Sequence, residues 1–197
     1  MNRSVQFFDQ QFARQAKAAE YVLNPFEQEA LPHLAGDVLD LGCGLGNLSI
    51  AAAAAGCRVV ALDASPAGID DLTKRAAQRG LALDARMADL RTFAADRQYD
   101  CVVAIGLLMF FACGDARALL ERVQAAARPG GVAAINVLVE GTTYLDMFDP
   151  VDYCLFGRDE LSERLRGWPV LLSRHDDFPA PGGTLKRFHT LIARRPL

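Results

Sequence analysis

The chain has 197 residues, 51% of them hydrophobic, and a formal net charge of −3, the size of one domain with enough apolar material for a sizeable core. The mildly acidic balance lacks the basic excess that neutralises a phosphate backbone, so nucleic acid is not an expected partner. No apolar leader follows Met1, and no run of about 18 uncharged apolar residues is present to span a bilayer, so a cytoplasmic protein without membrane contact is expected.

From Ser4 to about Glu20, Val5, Phe8, Phe12, Ala16 and Ala19 recur at steps of three and four, the period of an amphipathic helix. Asn24-Pro25-Phe26-Glu27 then offers an N-cap, a proline at the first helical position and a glutamate placed for a capping box, ahead of a helix towards Leu34. Residues 1–35 thus read as a helical arm.

Short apolar runs next alternate with helical stretches: a strand at 37–41, a helix at 47–55, a strand at 58–63, and a helix at 65–78 with Gly80 as its C-terminal cap. Strands at 81–87 and 99–106, a helix at 115–127, and a strand at 131–139 after the turn Pro129-Gly130-Gly131 complete residues 36–139. Strand and helix in repeated alternation predict an α/β fold with a parallel sheet covered on both faces. After that the rhythm breaks. Residues 140–156 are irregular and aromatic, a helix is predicted near 159–165, and strand-like runs near 169–174 and 185–193 flank Pro179-Ala180-Pro181-Gly182-Gly183. This predicts a lid insertion and a long-looped antiparallel pair closing the sheet, so that 140–197 completes a single domain spanning 1–197.

The five cysteines, Cys43, Cys57, Cys101, Cys113 and Cys154, are odd in number and form no C-x-x-C pair. They are expected as reduced thiols, with neither a disulfide framework nor a zinc site.

In an open parallel sheet a ligand sits beyond the carboxyl ends of the strands, where the strand order reverses, and the first strand ends there. Gly42, Gly44 and Gly46 stand at that end in Asp40-Leu41-Gly42-Cys43-Gly44-Leu45-Gly46, and a side chain at Gly42 or Gly44 would hold a ligand off the main chain. Asp63 closes the second strand about 20 positions later, the spacing at which an acid reaches ribose hydroxyls. A dinucleotide turn G-x-G-x-x-G would need glycine where Asn47 stands, which counts against a nicotinamide-dependent oxidoreductase. Asp40, two positions before the first glycine, suits a ligand bearing an ammonium group better than one bearing a pyrophosphate.

Val38-Leu39-Asp40-Leu41-Gly42-Cys43-Gly44-Leu45-Gly46, followed by Asp63, resembles the first two motifs of class I S-adenosylmethionine methyltransferases. The resemblance implies a Rossmann-like fold with a seven-stranded, mostly parallel sheet in the order 3-2-1-4-5-7-6, the last strand antiparallel. It also implies S-adenosyl-L-methionine as cofactor, S-adenosyl-L-homocysteine as product, and a backbone bed at Gly42 to Gly46 for the amino-acid part, with Asp63 on the ribose. Met87-Ala88-Asp89-Leu90 would lie beside the adenine, with Asp89 either partnering its amine or serving as a helix N-cap. The implied cofactor residues are therefore Asp40, Gly42, Cys43, Gly44, Gly46, Asn47, Asp63, Ala64, Ala88, Asp89, Leu90, Ile105 and Gly106.

Asp96-Arg97-Gln98-Tyr99-Asp100, Leu108-Met109-Phe110-Phe111, Arg128-Pro129-Gly130-Gly131, Glu160-Leu161 with Gly167-Trp168, and the ending from Lys186 to Arg194 are similar to the tellurite-resistance (TehB-like) branch of that family. This implies methyl transfer to a small acceptor, a TehB-like oxyanion or another small metabolite. The chain departs from the branch at Phe178 to Gly183, where a His-Arg pair that serves the substrate would stand.

In-line transfer from a sulfonium asks the protein to exclude water and hold the nucleophile in attack geometry. The end of the fourth strand, Ile105-Gly106-Leu107-Leu108-Met109-Phe110, offers no acidic metal ligand, so no metal is expected. If the sixth strand is parallel and the seventh antiparallel, Arg174, His175, Asp176 and Asp177 end one strand and Lys186 and Arg187 begin the other at the ligand edge, with Tyr144, Met147, Phe148 and Tyr153 in the lid above. The acceptor-side catalytic candidates are His175, Arg187 and Tyr144. Phe7, Phe8 and Phe12 bury a helix face or close over the cofactor, and Cys43 fills space because no base stands beside it. The expected partner is a small molecule and the expected assembly a monomer or homodimer. The alternatives are an NAD(P)-dependent oxidoreductase of Rossmann type and, since no residue is unmistakably a base, a non-catalytic S-adenosylmethionine-binding protein.

Overall fold

The computed structural model describes residues 3–197. Helix α1 (Arg3–Ala18) is followed by α2 (Pro25–Ala30), whose capping box is formed: Asn24 Oδ1 accepts from the Glu27 amide at 3.0 Å and Glu27 Oε2 accepts from the Asn24 amide at 2.8 Å. Then come β1 (Asp37–Leu41), α3 (Asn47–Ala54), β2 (Arg58–Asp63), α4 (Pro66–Gln78), β3 (Leu83–Met87) and β4 (Tyr99–Ile105). The chain closes with α5 (Cys113–Ala126), β5 (Ala127–Leu138), α6 (Glu160–Arg164), β6 (Val170–Ala180) and β7 (Thr184–Arg194).

The strands form one seven-stranded sheet ordered β3-β2-β1-β4-β5-β7-β6. All neighbours are parallel except β7, which runs antiparallel to both β5 and β6. Alternation of side chains along each strand feeds two apolar layers. Leu39, Leu41, Val102, Ile135 and Val137 pack on one face with Leu119 and Leu120 of α5. Val38, Val59, Val103 and Ala134 pack on the other with Leu48 of α3 and Leu72 of α4. The strand order reverses between β1 and β4, so the carboxyl ends of these strands flank the crevice where a ligand is expected.

Three features differ from the sequence reading. The first is β6, which runs to Ala180 rather than stopping near Arg174, so that only Pro181–Gly183 turn the chain and the long loop is replaced by a tight hairpin. Pro179 reads as a strand breaker in sequence, but β6 is the edge of the sheet, where a missing N–H disturbs no second ladder. Secondly, β5 starts at Ala127 and carries Pro129-Gly130-Gly131 within it, with a register irregularity opposite Tyr99 and Cys101.

The third difference is chemical. Cys113 and Cys154 form a disulfide (S–S 2.06 Å), which overturns the expectation of five reduced thiols. The fold brings the amino end of α5 beside the 140–157 segment: the Cys154 amide donates to the Met109 carbonyl at 3.0 Å, and Asp152 accepts from the Ala112 amide at 2.8 Å. Cys43, Cys57 and Cys101 remain buried thiols. Among the described residues no helix is long and apolar enough to cross a membrane, and no group of three or more His, Cys, Asp or Glu side chains is placed to hold a metal ion.

Candidate active site

A cavity of about 480 Å³ opens along the carboxyl edge of the sheet, beneath α1 and α2. Its wall can be followed strand by strand. At the end of β1 the amides of Gly42 and Cys43 donate to the Leu62 carbonyl at 2.8 and 3.2 Å, which folds the glycine loop across the end of β2. Gly44 and Gly46 have φ of +54° and +65°. A Cβ at Gly44 would stand 2.8 Å from Phe12 Cζ, and one at Gly46 would stand 2.5 Å from the Leu72 methyl groups. Both positions thus need glycine for backbone conformation and for space.

Asp63, at the end of β2, accepts from the Gly44 amide and the Ser65 amide, each at 2.8 Å. These bonds fix the carboxylate while leaving part of its acceptor capacity for a ligand. Burial raises its pKa, opposed by the amides of Ser65 and Gly44. Next to it Asp89 caps the turn 90–92 by accepting from the Arg91 amide at 3.0 Å, and its exposed carboxylate still borders the cavity.

The arm is the roof. Phe12 lies against Gly44, and Phe8 meets Phe110 edge-on at 4.9 Å between ring centroids. Phe7 faces outward, 37% exposed, and does not line the cavity. Glu27 of α2 reaches the wall with its carboxyl pushed up to about 7, chiefly by burial. Below the glycine loop Asp40, 5% exposed, accepts a hydrogen bond from Ser49 Oγ at 2.5 Å, and burial pushes it up to about 6.

The far end of the cavity is made by β4, β5 and β7. Ile105 is in register with Asn136, and Asn136 with Thr190. Asn136, Lys186 and Phe188 all line the cavity there, with Phe26 packed on Phe188 at 4.7 Å.

Residues 38–131 match the family described as "Methyltransferase domain". That span holds the glycine loop, Asp63, Asp89 and Ile105. By that match, residues 38–131 are a methyltransferase domain. The chain is 30% identical over 166 residues, 80% of its own length, to Hemagglutinin 1 of Eikenella corrodens, of which it covers 54%. It is 37% identical over 128 residues, 64% of its length, to cypemycin N-terminal methyltransferase of Streptomyces sp, of which it covers 47%. The chain therefore spans about half the length of these curated relatives. TehB from Haemophilus influenzae shares the fold, with a TM-score of 0.76, 20% identity, and cover of 88% of this chain and 62% of that one.

The residues around the cavity fit S-adenosylmethionine. The loop at Gly44 and Gly46 is a cradle that a Cβ would close, Asp63 keeps acceptor capacity towards the cavity, and Asp40 and Glu27 place carboxyls near the loop that an ammonium group would hold ionised. Of the residues implied by the sequence, the structure brings Gly42, Cys43, Gly44, Gly46, Asn47, Asp63, Ala64, Asp89, Leu90, Ile105 and Gly106 to the cavity wall. Asp40 and Ala88 lie outside it, the first sealed under the loop and the second packed against the core. Burial holds the Cys43 thiol well above its ordinary pKa, so it stays protonated wall material.

The structure does not bring the acceptor-side candidates into this cavity. On β7, Lys186 and Phe188 line it, whereas Arg187 and His189 alternate to the other face. There Arg187 pairs with Asp177 at 3.4 Å. His175 stacks on His189 at 4.2 Å and bonds the Arg158 carbonyl through Nε2 at 2.8 Å. The buried ring of His189 is pushed down to about 4, chiefly by desolvation. Tyr144 stands one layer back, its ring under the Lys186 ammonium at 4.6 Å. The residues that sequence reasoning missed are Asn136, Glu27, Phe26 and Phe188, while Lys186 was placed at the edge without a role. A lone polar residue inside the apolar run of β5 is the signal that could have marked Asn136.

Proposed function

We propose that this chain transfers a methyl group from S-adenosylmethionine to a small-molecule acceptor by in-line displacement. One observation carries the reading: a single cavity has the glycine loop and Asp63 at one end and Asn136, Lys186 and Phe188 at the other. When bound, S-adenosylmethionine supplies a methyl group activated by its sulfonium and leaves as S-adenosylhomocysteine. The chain supplies position and dryness. Phe8, Phe12, Phe110 and Met147 wall the cavity with apolar surface that excludes water, and Asp63 is preset by two amides to receive hydroxyl donors. The aromatic wall supports an organic acceptor, with tellurite kept in the acceptor panel because of the TehB-like motifs.

Calorimetric titration tests the cofactor. Wild type is expected to bind S-adenosylmethionine, and Asp63→Ala to lose about 1–3 kcal/mol of that affinity. Tighter binding of NADH than of S-adenosylmethionine would replace this reading with an oxidoreductase. Binding without release of S-adenosylhomocysteine, across a metabolite library that includes tellurite, would replace it with a cofactor-binding protein.

A further inference from the structure

The far end of the cavity has a recognition chemistry of its own, and it lies outside the span 38–131 that matches the family. Asn136 is fully buried in β5; its Nδ2 donates to Thr190 Oγ1 at 2.9 Å and its Oδ1 has no partner. A buried amide oxygen is costly to leave unmatched, and this one belongs to a residue of the cavity wall. A donor carried in by a ligand is the partner it lacks.

Lys186 supplies the second group. Its ammonium stands over the Tyr144 ring at 4.6 Å and makes no hydrogen bond or ion pair among the described residues. Arg91, the other cation in the wall, is engaged by Asp152 and Asp89. Burial lowers the Lys186 pKa, so an anion delivered there would restore the charged form. Besides Arg91, the titratable groups around the cavity are Glu27 from α2, Cys43 in the glycine loop, Asp63 and Asp89 beyond the strand ends, and Tyr144 beneath the ammonium; Phe26 and Phe188 complete the wall on this side.

Position separates Lys186 from the cofactor loop. In the sheet order β7 lies three strands from β1, which at about 4.8 Å per strand is roughly 14 Å. That spacing between backbones puts Lys186 at the end of the cavity away from the glycine loop, where it is placed to meet a second ligand.

We propose that Lys186 and Asn136 form the acceptor subsite of this methyltransferase, built for a small aromatic compound that carries an anionic oxygen group. The anion pairs with the Lys186 ammonium, a donor group reaches Asn136 Oδ1, and the ring lies against Phe26, Phe110 and Phe188. This rests on the methyltransferase reading above.

The test uses the full chain loaded with S-adenosylhomocysteine and matched probes: benzoate with benzamide, 3-hydroxybenzoate with 3-hydroxybenzamide, and indole-3-acetate with indole-3-acetamide. Calorimetry is expected to show carboxylates binding about tenfold or more tightly than their amides, as a charge-assisted contact requires. Lys186→Met should erase that preference, Lys186→Arg should keep it, and both should hold S-adenosylhomocysteine within about twofold of wild type. The added hydroxyl of 3-hydroxybenzoate should strengthen binding over benzoate in wild type and not in Asn136→Leu. Equal binding of carboxylates and amides, or no binding by any probe, would overturn the subsite. A tenfold loss of S-adenosylhomocysteine affinity in Lys186→Met would reassign the lysine to the cofactor. If wild type fails to bind S-adenosylhomocysteine at all, the methyltransferase reading itself falls; if it binds and the preference is missing, only the subsite does.

Discussion

Asp9, on α1, accepts hydrogen bonds from Ser65 Oγ at 2.6 Å and from the Ala67 amide at 3.0 Å, so a carboxylate of the arm closes the amino terminus of α4 beside Asp63. Ser65 Oγ in turn accepts from the Gly68 amide at 3.0 Å. A second tie holds the connection after α1: Tyr21 Oη donates to Asp71 at 3.0 Å, and the Arg75 guanidinium stacks on the Tyr21 ring at 4.1 Å. The arm is thus latched to the helix behind the glycine loop by polar contacts, and to the loop itself by Phe12.

Asp9→Ala removes an acceptor from a part-buried helix end and a negative charge from its positive pole, a loss of about 1–2 kcal/mol in stability. Amide exchange in α1 should quicken while exchange in β4 and β5 stays as in wild type, and affinity for S-adenosylmethionine should fall several-fold as the roof loosens. Hydrogen-exchange mass spectrometry of the two proteins checks this. Unchanged protection of α1 would show that Phe8, Phe12 and Tyr21 hold the arm without Asp9.

Gly44→Ala faces two penalties at once. Its φ of +54° is a conformation that costs an L-residue roughly 1 kcal/mol or more. The new methyl group would also stand 2.8 Å from Phe12 Cζ. Stability should drop by about 1–3 kcal/mol and S-adenosylmethionine binding by more than about tenfold, since loop and roof are displaced together. Adding Phe12→Ala relieves the contact and leaves the backbone strain. Gly44→Ala should therefore cost less stability in a Phe12→Ala background than in wild type in thermal unfolding; an equal cost in both would show that the strain alone carries the loss.

The cofactor side was legible because its signals are local. Asp40, the three glycines, Asn47 and Asp63 lie within one strand-loop-helix-strand unit, and the turn dictates its own residue types. The acceptor side is set by register between distant strands. Arg187 and Lys186 are neighbours in sequence, and only the pairing of β7 with β5 decides which one faces the cavity; a one-residue slip exchanges them. The extent of β6 was hidden for a related reason, since Pro179 breaks a central strand but not an edge. Cys113 and Cys154 are 41 residues apart, and nothing in their spacing shows that α5 and the insertion meet.

That disulfide pins the 140–157 segment, which contributes Met147 to the cavity, to the start of α5. Closing a loop of this length in the unfolded chain is worth about 4 kcal/mol in the chain-entropy model, and 2–4 kcal/mol is typical. Cys113→Ser/Cys154→Ser should lose stability of that order, and adding a dithiol reductant to wild type should lower its Tm to match the double variant. Proteolysis should cut the reduced protein first within 140–157. A Tm indifferent to reductant would mean that packing of Phe148, Phe156 and Leu161 holds the segment unaided.

Glu27 and Asp40 tie stability and cofactor affinity to pH in opposite directions. Burial pushes Glu27 up to about 7 and Asp40 up to about 6, Glu27 being raised further by Asp40, and Asp40 by Asp63. A carboxyl whose pKa is higher folded than unfolded stabilises the fold when protonated; that contribution is complete below the ordinary carboxyl range and is lost as pH climbs through the folded value. For Glu27 the loss between about pH 4.5 and 7 is on the order of 2–3 kcal/mol, and Glu27→Gln should flatten this part of the profile in urea unfolding, leaving the smaller slope of Asp40 near pH 6. A bound ammonium group favours the ionised carboxyls, so S-adenosylmethionine should bind more tightly as pH rises from about 5.5 to 8 and should release protons near pH 6 to 7. Calorimetry in buffers of different ionisation enthalpy counts those protons. A Glu27→Gln protein that keeps the whole wild-type proton release would assign it to Asp40, and one that binds equally well at pH 8 would place the ammonium away from α2.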